Sequence, residues 1–106
     1  MNVLHINQHN FREEVIQSEK PVLLDFWAPW CGPCRMPCRM LSPILDEIAE
    51  ETDEFKICKI NVDEEHDLAS AYKVFSIPTL MMVHQGKVED KMVGARPKNQ
   101  ILAMLG

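Results

Sequence analysis

With 106 residues, 46% of them hydrophobic, the chain has the size and apolar content of one folded domain spanning residues 1–106. Its net charge of −5 argues against general binding to nucleic acid or an anionic membrane, and no apolar run approaches the length of a transmembrane helix. The N-terminus lacks a basic segment followed by an apolar stretch, so no secretory signal is read. Four cysteines in that context point to catalysis or metal binding in a reducing cytoplasm rather than to structural disulfides.

Val3-Leu4-His5-Ile6 alternates weakly and reads as a short edge strand. Asn7 or Asn10 can cap a following helix over Phe11 to Ser18, whose apolar face is Phe11, Val15 and Ile16; Lys20-Pro21 ends it. Val22 to Trp27 is a continuous apolar run, the pattern of a central strand covered on both faces. Asp25 breaks it. A carboxylate in such a strand is costly unless it has a partner or a task. It is either a satisfied polar residue near the strand end or a buried proton acceptor with a raised pKa.

Cys34 to Glu51 reads as helix. Leu41, Ile44, Leu45 and Ile48 form one buried stripe, and Asp46, Glu47, Glu50 and Glu51 a solvated face. Pro43 lies inside that pattern and is expected to kink it. Phe55 to Val62 is the next inner strand, with Cys58 as a small buried hydrophobe. Glu65 to Lys73 is a short helix with Leu68, Ala71 and Tyr72 inward. Thr79 to His84 and Lys87 to Val93 flank Gln85-Gly86, an antiparallel hairpin with a tight turn. Met81 and Met82 read as core. Pro97 to Leu105 is a terminal helix with Ile101, Leu102 and Leu105 inward. The histidines at 5, 9, 66 and 84 are scattered and read as structural or solvated.

Between the apolar strand and the long helix lies Trp30-Cys31-Gly32-Pro33-Cys34. Two cysteines three apart at a helix start suit a reversible disulfide. Unpaired backbone N–H groups and the positive end of the dipole stabilise a thiolate there. Cys31 is then the nucleophile and Cys34 the thiol that resolves the mixed disulfide. Asp25 to Met36, together with Lys59-Ile60-Asn61-Val62-Asp63, Ile77-Pro78-Thr79-Leu80 and Val93-Gly94-Ala95 in that order, resembles the thioredoxin family over nearly the whole chain.

The resemblance implies a thioredoxin fold, an α/β arrangement with a central mixed sheet of about five strands flanked by four helices. It gives Asp25 the role of proton acceptor for the resolving thiol, and Lys59 that of a neighbour tuning it. It implies a cis bond between Ile77 and Pro78. A client strand would pair with the backbone of Ile77, beside Pro78, Trp30, Gly32, Pro33 and Gly94. Without the resemblance, Gly94 reads as a turn glycine, Pro78 as a strand-entry proline and Lys59 as an exposed lysine.

The chain departs from the family where Pro33-Cys34-Arg35-Met36 is repeated at once as Pro37-Cys38-Arg39-Met40. Four residues in a regular helix add about 6 Å and about 40° of rotation. The helix gains a turn, or the insert loops out, or the chain re-registers and puts Cys38 in the resolving position. Counting from the strand nominates Cys34; counting back from Pro43 nominates Cys38. Cys31 and Cys34 at a helix start can bridge. Cys34 and Cys38 are near the upper limit of bridging distance, and Cys31 and Cys38 exceed it in continuous helix. The dithiol is therefore assigned to Cys31 and Cys34, with Cys38 the alternative thiol. Pro37 conflicts with the Pro33 carbonyl if that turn is already α-helical.

The leading expectation is a dithiol–disulfide oxidoreductase that reduces protein disulfides. It needs no bound cofactor. Its partners are disulfide-bearing client proteins and an NADPH-linked thioredoxin reductase, and it works as a cytoplasmic monomer. The alternative is metal or iron–sulfur cluster binding through Cys31, Cys34 and Cys38, with a dimer or an external ligand completing the set. A third reading is a binding module that has lost turnover through its altered helix.

Overall fold

The computed structural model describes residues 3–29 and 32–105, with residues 32–39 described by their backbone course alone. Five strands form one mixed sheet in the order β1-β3-β2-β4-β5: β1 Val3–His5, β2 Val22–Trp27, β3 Lys56–Asn61, β4 Thr79–His84 and β5 Lys87–Val93. β1, β3 and β2 run parallel, and β4 and β5 are antiparallel to their neighbours. Three α-helices, α1 Gly32–Glu51, α2 His66–Ala71 and α3 Lys98–Leu105, flank the sheet together with a π-helical segment Arg12–Ile16. The expected thioredoxin fold, with five strands and four helical segments, is the one observed.

β2 sits at the centre because it is apolar on both faces. Its first five residues are buried, and it pairs with β3 on one side and β4 on the other. Side chains alternate across a strand. Val22, Leu24 and Phe26 join Val15, Cys58, Ile60, Met81 and Val83 under the π-helical segment and α2. On the other face, Leu23, Ile57 and Leu80 pack with Leu41, Leu45 and Ile48 of α1 and Ile101 of α3. Tyr72 lies against both Phe11 and Phe26, closing the first layer.

Local chemistry sets the connections. Gln85 and Gly86 both have positive φ, 52° and 80°, as the two central residues of a type I′ hairpin require. β5 carries a bulge, since Met82 pairs with Asp90 but Val83 with Val88. Lys87, Glu89, Asp90 and Lys91 are exposed along this outer strand and discourage edge-to-edge pairing. Lys98 Nζ donates to Glu47 Oε1 at 2.5 Å and Glu51 Oε2 at 2.7 Å, tying α3 to the acidic face of α1.

Three expectations need correction. The helix over Phe11 to Ser18 is the shorter π-helical segment, in which the Gln17 N–H reaches the Arg12 carbonyl at 2.9 Å. Before it, Asn7 and Asn10 cap one another's backbone. Asn7 Oδ1 accepts from the His9 and Asn10 N–H groups, and Asn10 Oδ1 accepts from the Asn7 N–H. Ala71 faces solvent; Leu68, Tyr72 and Val74 supply that contact. In α3 the inward set is Ile101, Met104 and Leu105, at i, i+3 and i+4. That spacing leaves Leu102 on a different side of the helix, 39% exposed. For the duplicated segment the sequence leaves three courses open. α1 is α-helical without interruption from Gly32 to Glu51, through both Pro37 and Pro43. The repeated residues 33–40 therefore lie in continuous helix and do not loop out.

Candidate functional site

The elements that carry the expected site converge at the C-terminal end of β2. β2 ends at Trp27 and the chain enters α1 at Gly32. Phe26 pairs with Thr79 in the antiparallel β2–β4 register, so Pro78 comes level with Trp27 at the same end of the sheet. Thr79 also pairs with Val93, which brings Gly94 there as well. The Gly94 N–H donates to the Pro78 carbonyl at 2.8 Å and joins the two segments.

Trp30 and Cys31 lie outside the described residues. Gly32, Pro33, Cys34 and Cys38 are on the backbone of α1, within its first two turns, and their side chains lie outside the description as well. The peptide bond between Ile77 and Pro78 is cis, as the resemblance implied. Pro78 is buried and Ile77 half-buried. Thr79 Oγ1 donates to the Ser76 carbonyl at 2.5 Å, holding the turn before β4. Gly94 has φ +89°, a conformation that side chains disfavour, and a Cβ there would meet nothing within 4 Å. Backbone conformation therefore accounts for the glycine, and the space beside it is open.

Asp25 is the chemically unusual residue. It follows Leu23 by two positions on the face of β2 that α1 covers, and it is 3% exposed. Its Oδ1 is buried without a hydrogen-bond partner. Desolvation pushes its pKa from 3.8 to about 7, an effect that the positive charge of Lys59 partly offsets. Lys59 is its register partner on β3, and Leu80 its partner on β4. Yet the Lys59 ammonium forms no ion pair with Asp25 among the described residues; it donates to Ser42 Oγ on α1 at 2.7 Å. Trp27, two residues beyond Asp25 on the same face, buries its Nε1 without a partner. Asp25 and Lys59 were both legible as candidates. Ser42 and Trp27 were not, because a serine between Leu41 and Pro43 and a tryptophan closing an apolar strand carry no distinguishing pattern.

Cys58 is separated from this site by the sheet. It is fully buried on the face away from α1, and burial pushes its thiol up to about 12, with smaller opposing influences from Lys56 and Glu14. It is an inert core thiol. Among the described residues no three His, Cys, Asp or Glu side chains are grouped to hold a metal ion. Among the same residues no helix is long and apolar enough to cross a membrane.

Comparison with known proteins agrees with this architecture. The thioredoxin family profile matches residues 2–106. The thioredoxin of Pyropia yezoensis is 46% identical over 106 residues, covering 99% of this chain and 95% of its own. The thioredoxin of Haemophilus influenzae is 48% identical over 100 residues, covering 93% and 90%. Thioredoxin 1 of Synechococcus elongatus is 47% identical over 97 residues, covering 91% and 87%. A profile that spans almost every residue, relatives near half identity, and a buried carboxyl beneath the helix that follows the central strand together place this chain in the thioredoxin family.

Proposed function

We propose that this chain is a protein-disulfide reductase working through a Cys31–Cys34 dithiol. The thiol–disulfide oxidoreductase role follows from the family. The assignment of residues rests on sequence position and on the surroundings of Asp25. Cys31, which precedes α1 in sequence, is kept as thiolate by the helix N-terminus and attacks one sulfur of a client disulfide. One client sulfur leaves as a thiolate and takes up a proton. Cys34 gives its proton to Asp25 and attacks the Cys31 sulfur of the mixed disulfide. The Cys31–Cys34 disulfide forms and the second client sulfur is released. A thioredoxin reductase drawing electrons from NADPH returns the dithiol.

The carrying observation is Asp25: a buried carboxyl, its Oδ1 without a hydrogen-bond partner, whose pKa of about 7 leaves it divided between its two protonation states at neutral pH. Such a group can take a proton and return it in the same cycle. The backbone of Ile77, before the cis Pro78, is the proposed pairing edge for an extended client segment, with Trp30, Gly32, Pro33 and Gly94 around it. We further read the protein as a cytoplasmic monomer of one domain, acting without a bound cofactor. The test is insulin-disulfide reduction coupled to NADPH and thioredoxin reductase. Cys31→Ser should abolish turnover, and full activity in that variant would refute the assignment.

A further inference from the structure

Asp25 and Lys59 occupy paired positions on neighbouring parallel strands, and both point toward α1. A carboxylate and an ammonium so placed would ordinarily meet, because each offsets the other's burial. Here they do not. The ammonium is bonded to Ser42 Oγ at 2.7 Å, while Asp25 Oδ1 is left buried and unpartnered. We propose that Ser42 is a positioning residue: its hydroxyl holds the Lys59 ammonium on α1 and so keeps it off the Asp25 carboxyl.

Among the described residues, β3 presents Lys59 to Asp25 and β4 the apolar Leu80, while Ser42 of α1 is bonded to the Lys59 ammonium. Lys59 is the charged group acting on Asp25 among the described residues. The serine hydroxyl satisfies one donor of the ammonium without adding charge. The positive charge thus stays near enough to temper the cost of ionising Asp25, but not near enough to fix the carboxyl as a permanent anion. An ion-paired aspartate would hold its charge well below neutral pH and would return no proton to a thiol. The hydroxyl keeps the carboxyl in the range where it can cycle. This role deepens the proposed reductase reading, since it concerns the proton acceptor of that reaction.

The test reads Asp25 directly, by carbon-13 NMR of its carboxyl across pH in the reduced protein. Ser42→Ala removes the acceptor, and the ammonium then turns to the free Oδ1. The Asp25 midpoint should fall by about one pH unit, a tenfold loss of proton affinity, within the range for an opposite charge brought into contact. Ser42→Thr, which keeps the hydroxyl, should restore the original midpoint. In a Lys59→Met background, Ser42→Ala should have no effect. A midpoint unchanged or raised in Ser42→Ala would overturn the inference, as would a shift that persists without Lys59. Neither result touches the assignment of Cys31, which stands or falls on the activity of Cys31→Ser.

Discussion

Replacing Asp25 by asparagine should make the protein's stability much less dependent on pH, and the size of the effect follows from the buried carboxyl. In the unfolded chain the group titrates at its ordinary 3.8; in the fold, burial raises it to about 7. Between these values the folded protein binds more protons at this site than the unfolded chain does. Protonation therefore favours folding, and stability falls as pH rises through the window. Below 3.8 there is no cost. Above 7 the cost is complete, about 4 kcal/mol at 1.36 kcal/mol per tenfold change in proton affinity. Asparagine keeps the shape but cannot ionise. Its own burial adds a constant offset that does not vary with pH. The informative quantity is therefore the difference in unfolding free energy, variant minus wild type. It should rise by about 4 kcal/mol between pH 4 and pH 9. Guanidinium titrations of the reduced proteins at steps across that range would read it as a midpoint difference growing by more than about 1 M. Stability curves that run parallel across the whole range would show that Asp25 is not held out of water as described.

Three further substitutions probe the scaffold that holds this carboxyl in place. Ile101 is the fully buried anchor of α3 against Leu23, Leu45 and Leu80, so Ile101→Ala should lower the unfolding free energy by about 3 kcal/mol; Leu102→Ala, at an exposed position, should cost under about 1 kcal/mol. Gly86 has φ +80° and its nearest neighbour, Ile16 Cγ2, would lie 3.7 Å from an added Cβ. Gly86→Ala should thus lose about 1 kcal/mol from backbone conformation alone, and chemical denaturation would detect it.

The parts of the fold that were legible in sequence are those where local pattern and tertiary context agree. β2 showed itself as an unbroken apolar run, and Asp25 stood out within it because a charge in a doubly covered strand needs a reason. The hairpin was written in Gln85-Gly86, whose φ values the turn type demands. Where several apolar faces compete, packing decides, and the sequence offers both answers. Leu102 and Met104 are equally apolar, but a helix cannot turn both toward the same sheet. The π-helical segment was hidden because a choice between i+4 and i+5 bonding over five residues depends on seating Val15 against the sheet. Ser42 was hidden for a related reason. Its partner is 17 residues away, and only the packing of α1 on β3 brings hydroxyl and ammonium together.

The duplicated Pro-Cys-Arg-Met can be placed by the same contacts. The downstream half of α1 is fixed on the sheet, since Leu41, Leu45 and Ile48 are fully buried and Ser42 is bonded to Lys59. With the helix unbroken back to Gly32, the four repeated residues account for about 6 Å of its length and about 40° of rotation. Counted back from Ser42, the backbone of Cys38 lies one turn away and that of Cys34 two turns away. On the proposed assignment, the repeat places two cysteines where two different requirements are met. Nearness to the helix start, where the dipole favours a thiolate, belongs to Cys34. Nearness along the backbone to Ser42, which holds Lys59, belongs to Cys38. On the proposed assignment, a chain shortened by those four residues would keep one cysteine after Cys31, four residues before the serine that holds Lys59 and at the helix start alike.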